Sequence, residues 1–387
     1  MIESAFFYNQ LTARGVRFFI GVPDSLLKSF CAYISDHSDK KSHIVAVNEG
    51  AAVALASGYH LATGGIPLVY MQNSGIGNAV NPLLSLADSD VYRIPLVLVV
   101  GWRGEPGTHD EPQHITQGKT TCSLLEIMSI PYAVLSGTEV EAERQIAECF
   151  GVVEKTGAPY AFVVRRDTFA PYALQRVLPD LADAAMTREE AIEEIILASD
   201  RHGVIVSTTG MASRELYKLR EKHGMTHERD FLTVGSMGHA SSIALGIALQ
   251  KPEPDLRVVC LDGDGAALMH LGAIAAIGVQ RPQNLCHIVL NNGAHDSVGG
   301  QPTIMPGIDL CAVARASGYA AAYSAATRES LRAALNATDT GEKSGAVFIE
   351  ARVKKGARKD LGRPKSAPPE NKAAFMEYIA GKQRTET

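Results

Sequence analysis

Residues 256–265, Leu-Arg-Val-Val-Cys-Leu-Asp-Gly-Asp-Gly, decide the fold of this chain together with the pair Asn291-Asn292. The first six of these residues form a short apolar run, which is typical of a buried parallel strand. The glycines let the backbone turn sharply and approach a ligand closely. A predicted helix at 266–279 and a second apolar strand at 286–290 complete a strand–turn–helix–strand unit. Because ligands bind at the carboxyl ends of strands in open α/β sheets, we expect Asp264 and Asn292 to be neighbours there.

Asp264 and Asn292 supply a carboxylate and a carboxamide oxygen, which with a backbone carbonyl make an all-oxygen site for a hard cation. Mg²⁺ takes one or two protein carboxylates and completes its octahedron with phosphate oxygens and water. The helix predicted from Ala266 adds free N–H groups and a positive dipole end, which favour a diphosphate. Each motif alone also occurs as an ordinary loop. Their combination, one helix apart and each after a strand, indicates a site for a cation and a diphosphate.

Two other loop types fit this segment less well. A dinucleotide-binding Gly-x-Gly-x-x-Gly turn needs a third glycine, and Leu268 stands at that position. A calcium-binding EF-hand loop needs a glutamate at its twelfth position, which is missing here.

Composition is typical of an ordinary globular protein. The chain has 387 residues, which is long enough for two domains with separate cores. Of these residues, 46% are hydrophobic and 20% are charged, which is normal for a globular protein. A net charge of −5 gives no reason to expect a nucleic-acid partner. No apolar run approaches the length of a membrane span, and the first residues lack a basic leader. The six cysteines form no Cys-x-x-Cys pair, so we expect buried thiols in a cytoplasmic protein.

Strand and helix patterns alternate in both halves of the chain, which predicts an α/β protein of two doubly wound parallel-sheet domains. We expect the domains at 1–168 and 187–387, joined by a linker at 169–186 that contains two prolines. The predicted strands lie near 17–21, 44–49, 67–75, 94–100, 160–164, 204–207, 231–234, 256–261, 286–290 and 347–353. The predicted helices start at Leu26, cover 50–62, 139–156, 187–199, 213–222, 239–249 and 266–279, follow Asp309, and cover 328–338.

The spacing of Gly-Asp-Gly and Asn-Asn resembles the cofactor motif of thiamine diphosphate enzymes, as do the segments 47–52 and 235–238. The resemblance implies two domains of the thiamine diphosphate-binding fold, pyrimidine-type and diphosphate-type, without a central domain. It also implies the cofactors thiamine diphosphate and Mg²⁺. The metal ligands would be Asp264, Asn292 and the carbonyl of Ala294. Cofactor contacts would come from Gly235, Met237, Gly263, Gly265, Ala266 and Ser297.

In this resemblance, Glu49 faces the aminopyrimidine ring of the cofactor and activates it by proton exchange. The Gly235 carbonyl accepts a hydrogen bond from the ring amine, and Met237 forces the cofactor into its bent form. Residue patterns alone leave plainer interpretations open. Glu49 would then only complement a helix dipole, and Met237 would be a core residue.

Three loops, 21–28, 102–114 and 295–303, are similar to those of thiamine diphosphate-dependent 2-oxo acid decarboxylases that act on 3-phosphonopyruvate. Asp24, His109 and His114 are the candidates for proton transfer, since histidine exchanges protons near neutrality. The pattern does not rank the two histidines, and both could be surface residues. Phosphonate contacts would come from Ser25, Lys28, Arg103, Arg358 and Lys359. A basic run such as 352–359 is otherwise a solvated surface.

The resemblance implies non-oxidative decarboxylation of 3-phosphonopyruvate to phosphonoacetaldehyde and CO₂, a step of phosphonate biosynthesis. It further implies a homodimer or homotetramer with the active site between subunits, a small-molecule substrate, and no nucleic-acid or membrane partner. A sulfopyruvate decarboxylase is the nearest alternative, although its two halves are often separate chains. A thiamine diphosphate-dependent carboligase or synthase, and a catalytically silent cofactor-binding subunit, are further alternatives.

Overall fold

The computed structural model describes residues 1–176, 181, 183–199, 203–252, 256–339, 344–358 and 360–381. The chain forms two compact units. The first comprises Met1–Leu178 with Ser297–Pro302, and the second comprises Pro179–Asp296 with Thr303–Thr387. Each unit contains one six-stranded sheet in which every strand pairing is parallel.

The first unit has the sheet order β2-β1-β3-β4-β6-β5. Its strands are β1 (Phe19–Gly21), β2 (His43–Val45), β3 (Leu68–Gln72), β4 (Val97–Gly101), β5 (Tyr132–Val134) and β6 (Tyr160–Val164). Its helices are α1 (Ser4–Ala13), α2 (Lys28–His37), α3 (Glu49–Thr63), α4 (Ile76–Pro82), α5 (Pro112–Ile127) and α6 (Glu139–Thr156). A 3₁₀ turn at Asn73–Gly75 precedes α4, and a π-helical turn at Leu83–Ala87 follows it.

The second unit has the sheet order β13-β14-β10-β9-β7-β8. The strands from here onward are β7 (Gly203–Ser207), β8 (Asp230–Leu232), β9 (Arg257–Gly263), β10 (Leu285–Asn291), the two-residue segments β11 (Ala294–His295) and β12 (Gln301–Pro302), β13 (Ala321–Ala325) and β14 (Val347–Arg352). The helices are α7 (Arg188–Ser199), α8 (Met211–Lys222), α9 (Ala240–Gln250), α10 (Asp264–Met269), α11 (Gly272–Gln280), α12 (Leu310–Ser317), α13 (Arg328–Asp339) and α14 (Pro368–Gly381).

Both sheets have the same topology. When the six strands of each sheet are numbered along the chain, both orders read 2-1-3-4-6-5. In such doubly wound sheets, the strand order reverses between the first and third strands, and ligands bind outside the carboxyl ends there. The reversal lies between β1 and β3 in the first unit and between β7 and β9 in the second. Two equivalent binding edges therefore exist, one in each unit.

Each sheet is covered on both faces by helices, which explains why its strands are apolar on both sides. In the first unit, alternate residues of β3, β4 and β6 belong to two separate hydrophobic clusters, one on each face. In the second, alternate residues of β9 and β10, with residues of α7, α8 and α13, form one such cluster. Of the helices that the structure describes, none combines the length and apolarity that crossing a membrane requires.

The sequence prediction is wrong at several elements. The predicted helix at 266–279 is two helices, because the backbone at His270 leaves the helical region (φ −134°, ψ 54°) and α11 begins only at Gly272. The predicted loop through His114 ends earlier, since α5 begins at Pro112, a residue well suited to a first helical turn. The short strands β5 and β13 and the helices α1, α4, α5 and α14 were not predicted, because their sequences lack a clear apolar period.

The ends of the predicted linker at 169–186 contribute to the two cores. Phe169 is buried, stacks on Phe30, and forms an isolated parallel bridge with Ile2. Met186 is buried in the second unit and bridges Val353. Both ends of the predicted linker thus pack against a core, and residues 177–180 and 182 lie outside the described part. The domain limits at 168 and 187 stay a prediction.

Candidate active site

Asp264 begins α10 at the carboxyl end of β9 and is only 4% exposed. The Thr303 hydroxyl donates a hydrogen bond of 2.6 Å to its Oδ2, and the amides of Gly265 and Gly293 also bond the carboxylate. Burial nevertheless raises the pKa of Asp264 to about 6, and the nearby Asp296 carboxylate acts in the same direction. A buried carboxylate beside a second carboxylate is an arrangement that a bound cation stabilises.

Asn292 follows β10 and is held in one orientation by Asp296. Its Nδ2 donates to Asp296 Oδ2 at 2.7 Å, and its Oδ1 accepts from the Ala294 amide at 3.0 Å. Because an ionised carboxylate only accepts hydrogen bonds, the amide nitrogen must face Asp296. The predicted metal ligands Asp264 and Asn292 thus lie at the ends of the adjacent strands β9 and β10, as expected.

Asp296 belongs to a buried ion network. The same Oδ2 accepts from Arg188 Nη1 at 3.0 Å and from the Gly356 amide at 2.9 Å. Arg188 also pairs with Glu215 through Nε and Nη2, at 2.8 and 3.0 Å. A charge network with several hydrogen bonds holds its members more rigidly than a single exposed pair. The position of Asn292 therefore depends on residues as distant in sequence as Arg188.

Thr208 lies at the strand-order reversal of the second unit, directly after β7 and beside the end of β9. Its hydroxyl is buried and has no hydrogen-bond partner among the residues that the structure describes. A Cβ built on Gly263 would lie 3.9 Å from the Thr208 methyl carbon. A buried hydroxyl without a partner calls for an explanation, and a ligand bound at this strand-order reversal would supply one. With the oxygen donors of Asp264 and Asn292, these residues fit Mg²⁺ and a diphosphate.

Gly263 caps α10 and Gly265 and Ala266 lie in its first turn, where contacts with the cofactor were predicted. A Cβ on Gly265 would lie 2.8 Å from His295 Cε1 and 3.5 Å from the Met237 methyl carbon, so only glycine fits. α10 has only six residues, so its dipole is weaker than the predicted helix at 266–279 implied. What the turn offers an anion is mainly its backbone amides.

Met237 and Gly235 lie in the turn after β8, and the Met237 methyl group reaches the neighbourhood of Gly265. The turn contains Ser236 with φ +54°, an uncommon conformation for a residue other than glycine. His295, to which no role was assigned, lies beside Gly265, and burial lowers its pKa to about 4. Its imidazole is therefore neutral at physiological pH.

The remaining predicted contacts of the C-terminal half are more exposed. Ser297 is exposed and belongs to the first compact unit. Arg358 is exposed and lies 3.6 Å from Glu189 and 3.5 Å from Asp360 in surface ion pairs. Lys359 lies outside the described residues.

In the first unit, Glu49 is buried at the first position of α3, which Asn48 caps by accepting from the Ala51 amide at 2.8 Å. Asn78 Nδ2 donates to Glu49 Oε2 at 2.7 Å. The other oxygen lies against Gly75, because a Cβ there would be 2.4 Å from Oε1. The carboxylate is thus held by α4 as well as by its own helix.

Arg103 follows β4 and is anchored by two side chains of its own unit. Nε donates to Asp110 Oδ2 at 2.8 Å, Nη2 bonds Oδ1, and Nη1 donates to Ser25 at 2.8 Å. Burial acts to raise the pKa of Asp110, but hydrogen bonds from Arg103 and the Gly104 amide outweigh it and lower this pKa to about 2. Among the described residues, three of the five guanidinium N–H groups of Arg103 donate hydrogen bonds, and the other two could contact a ligand.

Asp24 follows β1 and is fully buried. Its Oδ2 accepts from the Leu26 amide at 2.9 Å, and a Cβ on Gly101 would lie only 2.2 Å from that oxygen. Burial raises the pKa of Asp24 to about 6, although the Leu26 amide and the charge of Arg103 oppose it. A carboxyl group that titrates near neutrality suits proton transfer.

The two candidate histidines and the candidate lysine differ in burial. His114 is buried in the first turn of α5, where burial and the charge of Arg103 lower its pKa. His109 is exposed on the preceding loop, and Lys28 is exposed at the start of α2. Asp24, Ser25 and Arg103 are close together, and Asp110 and His114 interact electrostatically with Arg103.

Sequence reasoning missed the residues that orient the candidate ligands. These are Asn78, Asp110, Arg188, Thr208, Asp296 and Thr303. Asp110, Asp296 and Thr303 lie within the quoted loops 102–114 and 295–303, but nothing in those loops marks them as orienting residues. Asn78, Arg188 and Thr208 are placed by contacts between distant segments, which no local pattern indicates.

Comparison with known protein families agrees with this geometry. Residues 4–124 match the model of the thiamine pyrophosphate enzyme N-terminal TPP binding domain, and residues 206–351 match that of the C-terminal TPP binding domain. Thiamine pyrophosphate is another name for thiamine diphosphate. The chain is 37% identical to a phosphonopyruvate decarboxylase of Streptomyces viridochromogenes, over 98% of this chain and 95% of that protein. The chain belongs to the phosphonopyruvate decarboxylase family of thiamine pyrophosphate enzymes.

Two further relatives are similar to most of the chain. A phosphonopyruvate decarboxylase of Streptomyces hygroscopicus is 36% identical over 98% of this chain and 94% of its own. A sulfopyruvate decarboxylase of Methanosarcina acetivorans is 30% identical over 77% of this chain and 78% of its own. Glu49 lies in the segment that matches the N-terminal cofactor-binding domain, and Asp264 and Asn292 lie in the C-terminal one. The predicted family, fold and cofactor are confirmed.

Proposed function

We propose that this protein is a thiamine diphosphate- and Mg²⁺-dependent decarboxylase that converts 3-phosphonopyruvate to phosphonoacetaldehyde and CO₂ in phosphonate biosynthesis. The observation that carries the proposal is the 36–37% identity to two phosphonopyruvate decarboxylases over 98% of the chain. Thiamine diphosphate, when bound, supplies the electron sink that decarboxylation of a 2-oxo acid requires.

The second unit would hold the cofactor through its metal and its diphosphate. Asp264, Asn292 and the carbonyl of Ala294 would bind Mg²⁺, a set of oxygen donors that suits this ion. The buried position of Asp264, its raised pKa and the fixed orientation of Asn292 support this assignment. Thr208 and the amides after β9 would contact the diphosphate, with Gly235 and Met237 nearby.

The first unit would supply the groups that move protons. Glu49, held by Asn78, would exchange a proton with the cofactor's aminopyrimidine ring. Asp24 and His114, both buried near Arg103, would handle the proton of the product. His109 is exposed and is the weaker candidate. The free N–H groups of Arg103, with Ser25 and Lys28, would bind the phosphonate, because a dianion requires such donors.

Two substitutions separate chemistry from cofactor binding. Glu49→Gln keeps the size of the side chain but cannot exchange the proton, so we expect CO₂ release to fall by at least about 100-fold with cofactor affinity retained. Asp264→Ala should instead abolish Mg²⁺-dependent cofactor binding, as measured by calorimetry. Unchanged turnover in Glu49→Gln, or cofactor binding retained in Asp264→Ala, would refute the corresponding role.

Sulfopyruvate is the alternative substrate, and the Methanosarcina relative supports it. A carboligase would release CO₂ but join the remaining carbon skeleton to a second carbonyl compound. Product analysis distinguishes the phosphonopyruvate decarboxylase from the sulfopyruvate decarboxylase and the carboligase. The proposed enzyme forms phosphonoacetaldehyde as its only carbon product besides CO₂. Phosphonoacetaldehyde missing while CO₂ is released would favour the carboligase.

The active enzyme is, in our proposal, a homodimer or homotetramer whose sites lie between subunits. Mixing Glu49→Gln with Asp264→Ala tests this directly. If each site takes Glu49 from one subunit and Asp264 from another, mixed dimers contain one intact site, and about a quarter of the wild-type rate returns. A mixture that stays inactive after confirmed subunit exchange would contradict it. We also propose a cytoplasmic location, which the six free cysteines support.

A further inference from the structure

Cys260, Asp262 and His287 form a buried cluster in the second unit, on adjacent strands. Cys260 and Asp262 are two residues apart on β9, so their side chains point to the same face. His287 is the register partner of Cys260 on β10. The neighbouring residues Val259, Leu261, Cys286 and Ile288 point to the opposite face, into the hydrophobic cluster with α7, α8 and α13. The cluster therefore belongs to the other face of the sheet.

The three side chains converge on one point. One ligand atom of each, Sγ of Cys260, a carboxylate oxygen of Asp262 and a ring nitrogen of His287, lies within 4.8 Å of the other two. Asp262 is 0% and His287 1% exposed. His287 Nε2 lies 3.5 Å from Asp262 Oδ2. Both of these atoms lack a hydrogen-bond partner among the described residues.

A direct ion pair between Asp262 and His287 explains this arrangement poorly. Hydrogen bonds between a charged nitrogen and a carboxylate are about 2.7–2.9 Å long, so 3.5 Å is too long for one. Two ligands that lie about 2.1 Å from a tetrahedral metal ion are about 3.4 Å from each other. The observed separation matches two ligands of one metal better than a donor and its acceptor.

The rest of the surroundings also suits a metal. His287 Nδ1 lies 3.2 Å from the hydroxyl of Tyr319, a buried residue, and metal-binding histidines generally use their second nitrogen in such a bond. A thiolate, a carboxylate and a neutral imidazole carry two negative charges, which a divalent ion balances inside the protein. Thiolate and imidazole ligands select zinc over Mg²⁺, which prefers oxygen ligands and keeps several waters.

We propose that Cys260, Asp262 and His287 bind one zinc ion, with water as the fourth ligand. This site is separate from the Mg²⁺ site of the proposed function. It would join β9 to β10, the two strands whose carboxyl ends carry Asp264 and Asn292. Its role would be structural, since it fixes the spacing of the strands that position those residues. Metal binding of this kind contributes to folding stability.

The test uses the full-length protein, produced with added zinc and then desalted with thiamine diphosphate and Mg²⁺ present. Elemental analysis should find about one zinc per chain, as one site per chain requires. Zinc-edge X-ray absorption of this wild-type protein should show one sulfur at about 2.3 Å and nitrogen or oxygen ligands at about 2.0–2.2 Å. Little zinc, or zinc without a sulfur ligand, would overturn the proposal.

Variants locate the ion. Cys260→Ser should lose the zinc, whereas Cys286→Ser, on the strand of His287 but facing the opposite side, should keep it. Asp264→Ala should also keep it, because its side chain belongs to the other metal site. Zinc retained in Cys260→Ser would overturn the assignment. If Cys260→Ser does not fold, the wild type is instead loaded with cobalt in place of zinc. A sulfur-to-cobalt charge-transfer band would support a thiolate ligand, and its absence would overturn the proposal.

Discussion

The side-chain amide of Asn292 donates a hydrogen bond of 2.7 Å to Asp296, and this contact fixes which end of the amide is free for a metal. Asp296 in turn is held by Arg188 and by the Gly356 amide. Asp296 therefore orients a proposed metal ligand without being one. Such orienting residues contribute strongly to metal affinity.

Replacing Asp296 should weaken Mg²⁺ binding. In Asp296→Ala, the amide of Asn292 rotates freely, so we expect the Mg²⁺ dissociation constant to rise about 10–100-fold in the presence of thiamine diphosphate. Asp296→Asn should be milder, because its carbonyl oxygen still accepts a hydrogen bond from Asn292. Calorimetric titration measures both.

Asp309→Ala is the matched control for this prediction. Asp309 caps α12 through a hydrogen bond of 2.9 Å from the Ala312 amide. Its loss should lower stability by about 1 kcal/mol and leave Mg²⁺ affinity unchanged. Equal Mg²⁺ affinity in Asp296→Ala and the wild type would show that Asp296 does not orient Asn292.

Gly75→Ala should displace Glu49. The added Cβ would lie 2.4 Å from Glu49 Oε1, so the carboxylate must move. The backbone at Gly75 has φ −73°, which alanine adopts without strain, so the effect is steric and local. We expect CO₂ release to fall by at least about tenfold, as a misplacement of about 1 Å commonly causes, while Mg²⁺ and cofactor affinity change little.

Gly77→Ala controls for the general effect of alanine near the start of α4. A Cβ there meets no atom within 4 Å. The substitution should preserve activity and stabilise the helix by about 0.5–1 kcal/mol. If both alanine variants lose activity equally, the contact between Gly75 and Glu49 is not the cause.

Asp24→Asn should raise stability while it lowers activity. Burial raises the pKa of Asp24 from 3.8 to about 6 in the folded protein. Between those values the folded state binds more protons than the unfolded state, so this group makes stability fall as pH rises. An asparagine cannot ionise, and the variant should gain on the order of 2–3 kcal/mol over the wild type above about pH 6.

Unfolding midpoints of the wild type and Asp24→Asn at about pH 4 and about pH 8 measure how their difference in stability depends on pH.

Asp39→Asn is the control, and its stability relative to the wild type should change with pH in the opposite direction. Hydrogen bonds from Ser42 lower the pKa of the exposed Asp39, so its contribution is present at neutral pH and lost as pH falls. A wild type that equals Asp24→Asn in stability at both pH values would contradict the assignment for Asp24.

Asp110→Asn tests whether Arg103 binds the substrate. Asp110 accepts two hydrogen bonds from Arg103, so its neutralisation loosens the guanidinium. If Arg103 contacts the phosphonate, KM should rise on the order of tenfold, the value of a charged hydrogen bond, with kcat less affected. Ser25→Ala, which removes only the contact with Nη1, should raise KM less. A lower melting temperature with unchanged KM would mean that Arg103 only supports the loop.

The sequence predicted most of the long strands and the order in which they alternate with helices. β6 and α6 begin and end where the apolar pattern places them, and Asp264 and Asn292 lie together because parallel strands must meet at one edge. The apolar period of a strand or helix is set by its own residues, and the carboxyl ends of neighbouring parallel strands meet at one edge in every such sheet.

The sequence could not predict what orients those ligands. Asn78 reaches Glu49 because α4, which carries Asn78, packs against α3, which begins at Glu49. Arg188 reaches Asp296 across more than a hundred residues of sequence. The break between α10 and α11 is also invisible, since Ala, Leu and Met favour a continuous helix through 266–269. These features depend on tertiary contacts, which override local preference.

The most direct measurement is the rate of CO₂ release by the purified enzyme, with thiamine diphosphate and Mg²⁺, from phosphonopyruvate, sulfopyruvate and pyruvate. We expect the highest kcat/KM for phosphonopyruvate, with phosphonoacetaldehyde as the product. Equal or better efficiency with sulfopyruvate would contradict the proposed substrate, and no CO₂ from any of the three would contradict the proposed function.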